Sequence, residues 1–219
     1  MAVKILQVSD IHGSMVAVEK IAAKADEGYD VVFVAGDVTN FGTIAQAEMI
    51  LSKIAEHCPR VFFVAGNCDP EALLNWQPAT EKITNLHLKS AMLGELGIVG
   101  LGGGGPKSVG TIIEFNEEQF SSMLSELKPP SGRFILLSHT PPHGAEADHV
   151  GGRHVGSMAI REYVEKTAPI LVSCGHIHEA RSISKLEKTT VINAGPARNN
   201  YCASIIIEGE EVKAELQQL

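Results

Sequence analysis

The chain lacks the features that mark a nucleic-acid or membrane partner. Lys and Arg number 18 against 26 Asp and Glu, the formal net charge is -8, and the basic residues are dispersed. A long nucleic-acid polymer usually needs a basic face, so none is expected as partner. No apolar run approaches the ~20 residues that span a bilayer. The first residues carry none of the basic, apolar and small-residue zones of an export signal; Met1 leads straight into an apolar segment, and the cytoplasm is the expected compartment. Cysteine is sparse too. Cys58, Cys68, Cys174 and Cys202 form no C-x-x-C pair, which excludes a zinc knuckle and argues against a disulfide framework. They read as reduced thiols, with Cys174 and Cys202 in core runs. What the chain does have is apolar content: 44% of its 219 residues, enough for a real core in one globular domain over residues 1–219. No internal repeat, low-complexity tract or linker divides it.

Strand and helix patterns alternate in the first half. Val3–Val8, Val31–Val34 and Val61–Val64 read as buried strands. Between them, Ser14 caps a helix running to about Glu27, and Thr43 caps another in which Ala47, Ile50, Leu51 and Ile54 recur at helical spacing before Pro59. This βαβ repeat predicts a parallel sheet. In the second half, strands are expected at Ala91–Leu93, Gly97–Leu101, Phe134–Leu137, Ile170–Val172, Arg181–Leu186, Thr189–Asn193, Cys202–Ile207 and Val212–Leu216. Helices are expected from Asn116 to Leu127 and from Ser157 to Lys166, with a hairpin turn at Glu208-Gly209-Glu210. The result is two mixed sheets packed face to face with helices outside.

Five short clusters end apolar runs: Asp10-Ile11-His12, Gly36-Asp37, Gly66-Asn67, Ser138-His139 and Gly175-His176-Ile177-His178. Ligands at the ends of buried strands converge on one rim of a sheet. In extended backbone, Asp10 and His12 would share a face, as would His176 and His178. The glycines let backbone approach closely. Imidazoles and carboxylates in this mixture suit Mn²⁺, Fe and Zn²⁺. A carboxylate between two dications screens their repulsion at the ~3.5–4 Å spacing of two-metal sites. Two such ions bring four positive charges and two carboxylates cancel only two, so the pocket is locally cationic and suited to a phosphate group.

The order D-x-H, G-D, G-N, H, G-H-x-H resembles the calcineurin-like metallophosphoesterase family, and most closely its small stand-alone prokaryotic members. The resemblance implies an α/β/β/α sandwich in four layers, with two divalent ions at the strand ends: Mn²⁺ foremost, with Fe, Zn²⁺ or Ni²⁺ as alternatives. It assigns the first ion to Asp10, His12, Asp37 and His178, and the second to Asp37, Asn67, His139 and His176, so that Asp37 bridges. The implied reaction is hydrolysis of a small phosphodiester or phosphomonoester by a hydroxide bridging the ions, without a phosphoenzyme. Asp37, Asn67 and His139 would then serve catalysis as well as metal binding, and Asn67 would also touch substrate. Asp69 would orient a neighbour.

Many family members have histidine after the asparagine; here it is Cys68. A thiol with an ordinary pKa of ~8.5 stabilises anionic charge less well than imidazolium. Cys68 therefore reads either as a filler beside the metals or as a contact that narrows the substrate range. The loop Thr140–Gly156 begins right after a ligand and is expected to overhang the metals. Within it, Arg153 has the planar fork that grips phosphate, and His143 or His154 offers a proton donor. Gly102–Gly105 with Pro106-Lys107-Ser108 lacks the spacing of an ATP-type loop and reads as a flexible connection near the active face. His57 and His87 receive no role, and Trp76 is expected to cover a helix after Asp69. Two other readings compete: a non-catalytic scaffold or binding module on the same fold, and a protein phosphatase. Intact ligand positions oppose the first, and Cys68 opposes the second. A monomer and a homodimer are both compatible with the sequence, with an edge among the final strands free to pair.

Overall fold

The computed structural model describes residues 2–105 and 110–219. The first half runs β1 (Val3–Val8), α1 (Met15–Ala25), β2 (Val31–Ala35), α2 (Ile44–Ala55), β3 (Val61–Val64), β4 (Ile83–Asn85), β5 (Ser90–Leu93) and β6 (Leu96–Leu101). The second half runs α3 (Glu117–Glu126), β7 (Phe134–Ser138), β8 (His149–Val150), β9 (Arg153–His154), α4 (Met158–Thr167), β10 (Leu171–Cys174), β11 (Ser182–Leu186), β12 (Thr189–Asn193), β13 (Tyr201–Glu208) and β14 (Glu211–Gln218). One six-stranded sheet has the order β14-β13-β1-β2-β3-β4, and the other β11-β12-β10-β7-β6-β5. Both are mixed. β1 to β4 pair in parallel, as do β6, β7, β10 and β12, and antiparallel strands close the remaining edges.

Alternation along each strand explains the layers. Leu6 and Val8 of β1 join Val18 and Ile21 of α1 and Ile50, Leu51 and Ile54 of α2 in one core. Ile5 and its neighbours Val31 and Phe33 turn inward to meet Ile135, Leu137, Leu171 and Ile192 of the opposite sheet. On that sheet's outer side, Leu136 and Val172 pack on Phe120, Leu124, Ile160 and Val164 of α3 and α4. The central strands bury both faces, which is why they read as continuous apolar runs. Each of the four helices begins at a side-chain cap: Ser14, Thr43, Asn116 and Ser157 accept from backbone N–H groups of Ala17, Gln46, Gln119 and Ile160. Such a cap is typically worth ~1 kcal/mol. Gln7 crosses the interior; its Nε2 donates to Cys174 O at 2.9 Å and Ile192 O at 3.0 Å, tying the two sheets together. All four cysteines are buried free thiols. Among the described residues no helix is long and apolar enough to cross a membrane.

The structure differs from the sequence expectations in several places. β4 has no counterpart among the expected strands; at three residues it is too short to show a period, and Asn85 is held by its Nδ2 donating to the carbonyls of Leu73, Leu74 and Trp76. The helix expected near Trp76 is a single 3-10 turn, Glu71–Leu74, and Trp76 packs its ring on Phe63. Thr140–Gly156 is not a bare loop: it holds a 3-10 turn, Glu146–Asp148, and the β8–β9 hairpin. Gly102–Gly105 is tightly packed rather than a flexible link. A Cβ on Gly102 would meet Ala65 O at 2.7 Å, and one on Gly104 would meet Asn67 Cβ at 2.6 Å. Pro106-Lys107-Ser108 lies outside the described residues.

His57 hydrogen-bonds Asp26 at the surface, whereas His87 is buried and its Nδ1 accepts the Gly102 N–H at 3.0 Å. Burial, aided by Lys89, lowers His87 from 6.5 to about 4. A histidine lowered by folding lends stability above its unfolded pKa and withdraws it as pH falls towards the folded value. Protonation also removes the lone pair that Gly102 uses. Between pH 6.5 and 4 we expect a loss on the order of 3 kcal/mol from this group. Thermal melts across that window should be flatter for His87→Asn than for the unsubstituted protein; equal slopes would acquit His87.

Candidate metal centre

The carboxyl ends of β1, β2, β3, β7 and β10 lie on one rim, and Asp10, Asp37, Asn67, His139 and His176 follow them. The side chains do not converge through strand alternation, contrary to the expectation from D-x-H and H-x-H in extended backbone. Asp10 (φ 54°), His12 (φ 48°), Asp37 (φ 50°) and His176 (φ 68°) all occupy the left-handed region, and His178 opens a 3-10 turn, His178–Ala180. L side chains are uncommon there, and such residues concentrate at functional sites. Backbone bonds hold the turns: Asp10 N donates to Gly36 O at 3.0 Å and His12 N to Asp37 O at 2.9 Å.

The glycines have a specific use. A Cβ on Gly36 would overlap the His139 ring, one on Gly66 would overlap Asp37, and one on Gly175 would lie 2.6 Å from Asp10 Oδ2. Each of these glycines precedes one candidate ligand and makes room for another from a distant cluster.

The seven predicted side chains meet at the rim. His178 Nε2 is 3.1 Å from Asp10 Oδ1 and 3.3 Å from His12 Nε2. His12 Nε2 is 3.6 Å from Asp37 Oδ2, and His139 Nε2 is 3.6 Å from Asp37 Oδ1. His139 Nε2 also lies 2.9 Å from Asn67 Oδ1. Among the described residues, Asp10, His12 and His178 form one grouping able to hold a metal ion; Asp10, Asp37 and His139 form a second; and His12, Asp37 and Cys68 form a third. His176 is in none of the three, but its ring lies against His139 with 4.8 Å between centroids, and its N–H donates to Asp10 Oδ2.

Burial sets the charge states. It lowers His176 to about 3 and His12 to about 4, keeping both lone pairs available at neutral pH. Burial works to raise Asp10, but the hydrogen bond from His178 and the neighbouring imidazoles outweigh it and hold the carboxyl well below the usual range. Asp37 is raised, first by burial and then by the charge of Asp10. An ionised Asp10 and two imidazoles held neutral, His12 and His176, thus share one buried space.

His139 makes this concrete. Its Nδ1 is 2.8 Å from Ala35 O, a pure acceptor, so Nδ1 carries the proton. In the neutral ring, Nε2 is then a bare lone pair facing Asn67 Oδ1 and Asp37 Oδ1. Asn67 cannot turn its amide without cost, since its Nδ2 already donates to Thr111 Oγ1 at 3.1 Å. A cation among these three atoms satisfies all of them. The donor set therefore fits a metal, and the Asp/His clusters are compatible with a dinuclear site.

Asp69 supports the rim. It accepts from the N–H groups of Val38, Thr39 and Gly66 and from Thr39 Oγ1, joining the loops after β2 and β3. Burial, reinforced by Asp37, raises it to about 6. Cys68 donates its backbone N–H to Asp37 Oδ1 at 2.8 Å, and burial and Asp37 push its thiol up. Its place in a metal grouping was not legible as a ligand signal in the sequence. His143, Arg153 and His154 occupy the β8–β9 region: His154 bonds the buried Asp148 at 2.6 Å, His143 lies against the His154 ring, and Arg153 pairs with Val150 in the hairpin. The hairpin neighbours the His178 turn. Sequence reasoning missed Arg198, which lies in the 3-10 turn Ala197–Asn199 with its Nη2 at 3.3 Å from His178 Nδ1. The available signal was its place just beyond β12, in Gly195-Pro196-Ala197-Arg198, the same strand-end pattern the other clusters show.

Known proteins resemble this chain in sequence and fold. The family model for calcineurin-like phosphoesterases matches residues 3–180. An uncharacterized protein of Methanocaldococcus jannaschii is 31% identical over 198 residues, covering 88% of each chain. A crystal structure of TT1561 from Thermus thermophilus superposes with a TM-score of 0.71 at 19% identity, covering 98% of this chain and 99% of that one. A dimetal phosphatase from Danio rerio gives 0.61 at 11% identity, covering 99% of this chain and 98% of that one. The structural likenesses speak to the fold, and the family rests on the model match and the 31% relative. The chain belongs to the calcineurin-like phosphoesterase family.

Proposed function

We propose that this chain hydrolyses small phosphate esters, monoesters or diesters, at a site holding two divalent ions. Asp10, His12, Asp37 and His178 would hold the first ion, and Asp37, Asn67, His139 and His176 the second. The supporting observation is the His139 ring. It is locked by Ala35 O so that its free lone pair faces two oxygens, an arrangement that wants a cation. When bound, the ions supply Lewis-acid activation of water and charge for the phosphoryl oxygens. The chain's own residues do the rest. Ala35 O fixes the His139 tautomer, Asp69 holds Asp37 and Asn67 in register through their loops, and the Cys68 N–H orients Asp37. The left-handed turns keep the set pre-organised, so little reorganisation is needed when substrate arrives. The mixed oxygen and nitrogen donors suit several divalent metals; Mn²⁺ is taken as the leading candidate, with Fe, Zn²⁺ and Ni²⁺ as alternatives. Natively purified protein should carry close to two ions per chain and, once loaded with manganese, hydrolyse an activated bis-aryl phosphate or an aryl phosphate. A fully loaded protein inert to both would instead favour a scaffold role.

A further inference from the structure

We propose that Arg198 binds the phosphoryl group and biases this site towards phosphomonoester dianions. The proposal rests on the phosphoesterase reading above. Arg198 is exposed, yet its backbone is fixed: Ala197 N donates to Ser9 O at 2.8 Å and Arg198 N to Asp10 O at 3.3 Å. Its Cα is thus anchored to the segment that carries the first candidate ligand, while among the described residues its side chain is held only by the 3.3 Å contact to His178 Nδ1. Two other arginines are committed elsewhere. Arg181 donates to Ala194 O and Gln217 O and lies over the Tyr201 ring, and Arg161 pairs with Glu165. Among the described residues Arg198 has no carboxylate in ion-pair contact.

The contact with His178 has a consequence. Nδ1 accepts from Arg198 only while the His178 proton sits on Nε2, where it faces Asp10 Oδ1 at 3.1 Å. For Nε2 to offer a lone pair to a metal, that proton must move to Nδ1. Two donors then face each other, and the guanidinium loses its acceptor. An exposed arginine released beside a cationic site is a ready partner for an anion, because its planar fork matches phosphate oxygens. Loading the site and freeing Arg198 are thus linked.

Charge gives the selectivity. Two dications against Asp10 and Asp37 leave a surplus of two positive charges, and Arg198 adds a third. A phosphomonoester is a dianion near neutral pH and a diester a monoanion. Coulomb energy scales with the product of charges, so the monoester gains about twice as much from Arg198. In logarithms of KM the ratio is therefore about two.

The test uses manganese-loaded protein and Arg198→Gln. Calorimetry with inorganic phosphate should show affinity falling about tenfold, with metal content unchanged and Arg198→Lys recovering part of the loss. KM for an aryl phosphomonoester should rise about tenfold, and that for a bis-aryl diester only about threefold, with kcat less affected. Unchanged phosphate affinity would overturn the binding role. Equal losses on both esters would overturn the selectivity. Loss of metal in Arg198→Gln would show that Arg198 merely props His178. If the unsubstituted protein cleaves neither ester, the phosphoesterase reading fails by itself, while the phosphate titration still judges Arg198.

Discussion

Asp37→Ala is expected to strip both ions and to lower turnover by more than about 10³-fold, with the fold retained. The argument is positional. Asp37 Oδ2 faces His12 and Oδ1 faces His139, each at 3.6 Å, so this carboxylate stands between the two halves of the site. Removing it takes away the carboxylate that, in the proposed assignment, would screen two dications from each other. Burial makes the loss worse, because an uncompensated ion in a buried space has little water to turn to. Asp37 also accepts the Cys68 N–H at 2.8 Å, so alanine disturbs the loop after β3 as well. Asp37→Asn separates the two effects: it keeps the oxygen that Cys68 needs and discards the charge. Metal content after dialysis should fall in both variants, and circular dichroism should match the unsubstituted protein at least for Asp37→Asn. If Asp37→Asn kept two ions and full activity, the bridging assignment would be lost.

The fold was largely legible because its signals are local. Strands buried on both faces read as apolar runs, and Ser14, Thr43, Asn116 and Ser157 announced their helices by caps whose bonds are present. The parallel neighbours β1, β2 and β3 followed from the βαβ repeat, but the distant pairings did not, since β1–β13 joins segments at opposite ends of the chain through contacts no periodicity encodes. The site shows a similar division. Candidate ligands could be picked out because each of their clusters ends an apolar run. The manner of convergence could not, because it depends on left-handed backbone at Asp10, His12, Asp37 and His176, which is set by tertiary hydrogen bonds rather than by residue type. The pleat argument therefore reached the right neighbours for a wrong reason. Thr140–Gly156 misled in another way. Its order comes from the buried Asp148, which accepts from the N–H groups of Gly144 and Gly156 and from His154, and a single polar anchor leaves no pattern in hydropathy. Arg198 escaped notice because an arginine in a polar turn is ordinary until His178 is found beside it.

Gly36→Ala is expected to cost the second ion and about 10²-fold in activity while leaving the first ion in place. Two effects act at this position. The backbone is left-handed (φ +87°), where a Cβ costs roughly 1–2 kcal/mol. The added methyl also overlaps the His139 ring. His139 cannot retreat, because it is fully buried and its Nδ1 is held at 2.8 Å by Ala35 O, one residue before Gly36. The ring must therefore tilt, and Nε2 leaves the line to Asn67 Oδ1 and Asp37 Oδ1. Gly28→Ala is the matched control: its φ of +83° carries the same backbone strain, but nothing lies within 4 Å of the new Cβ. Both variants should lose a similar increment of thermal stability from strain, with Gly36→Ala losing more. Only Gly36→Ala should drop from two ions per chain to one and lose turnover. Were Gly28→Ala to lose activity equally, backbone strain and not displacement of His139 would be the cause. Were Gly36→Ala to keep both ions, the glycine before Asp37 would not be what makes room for His139.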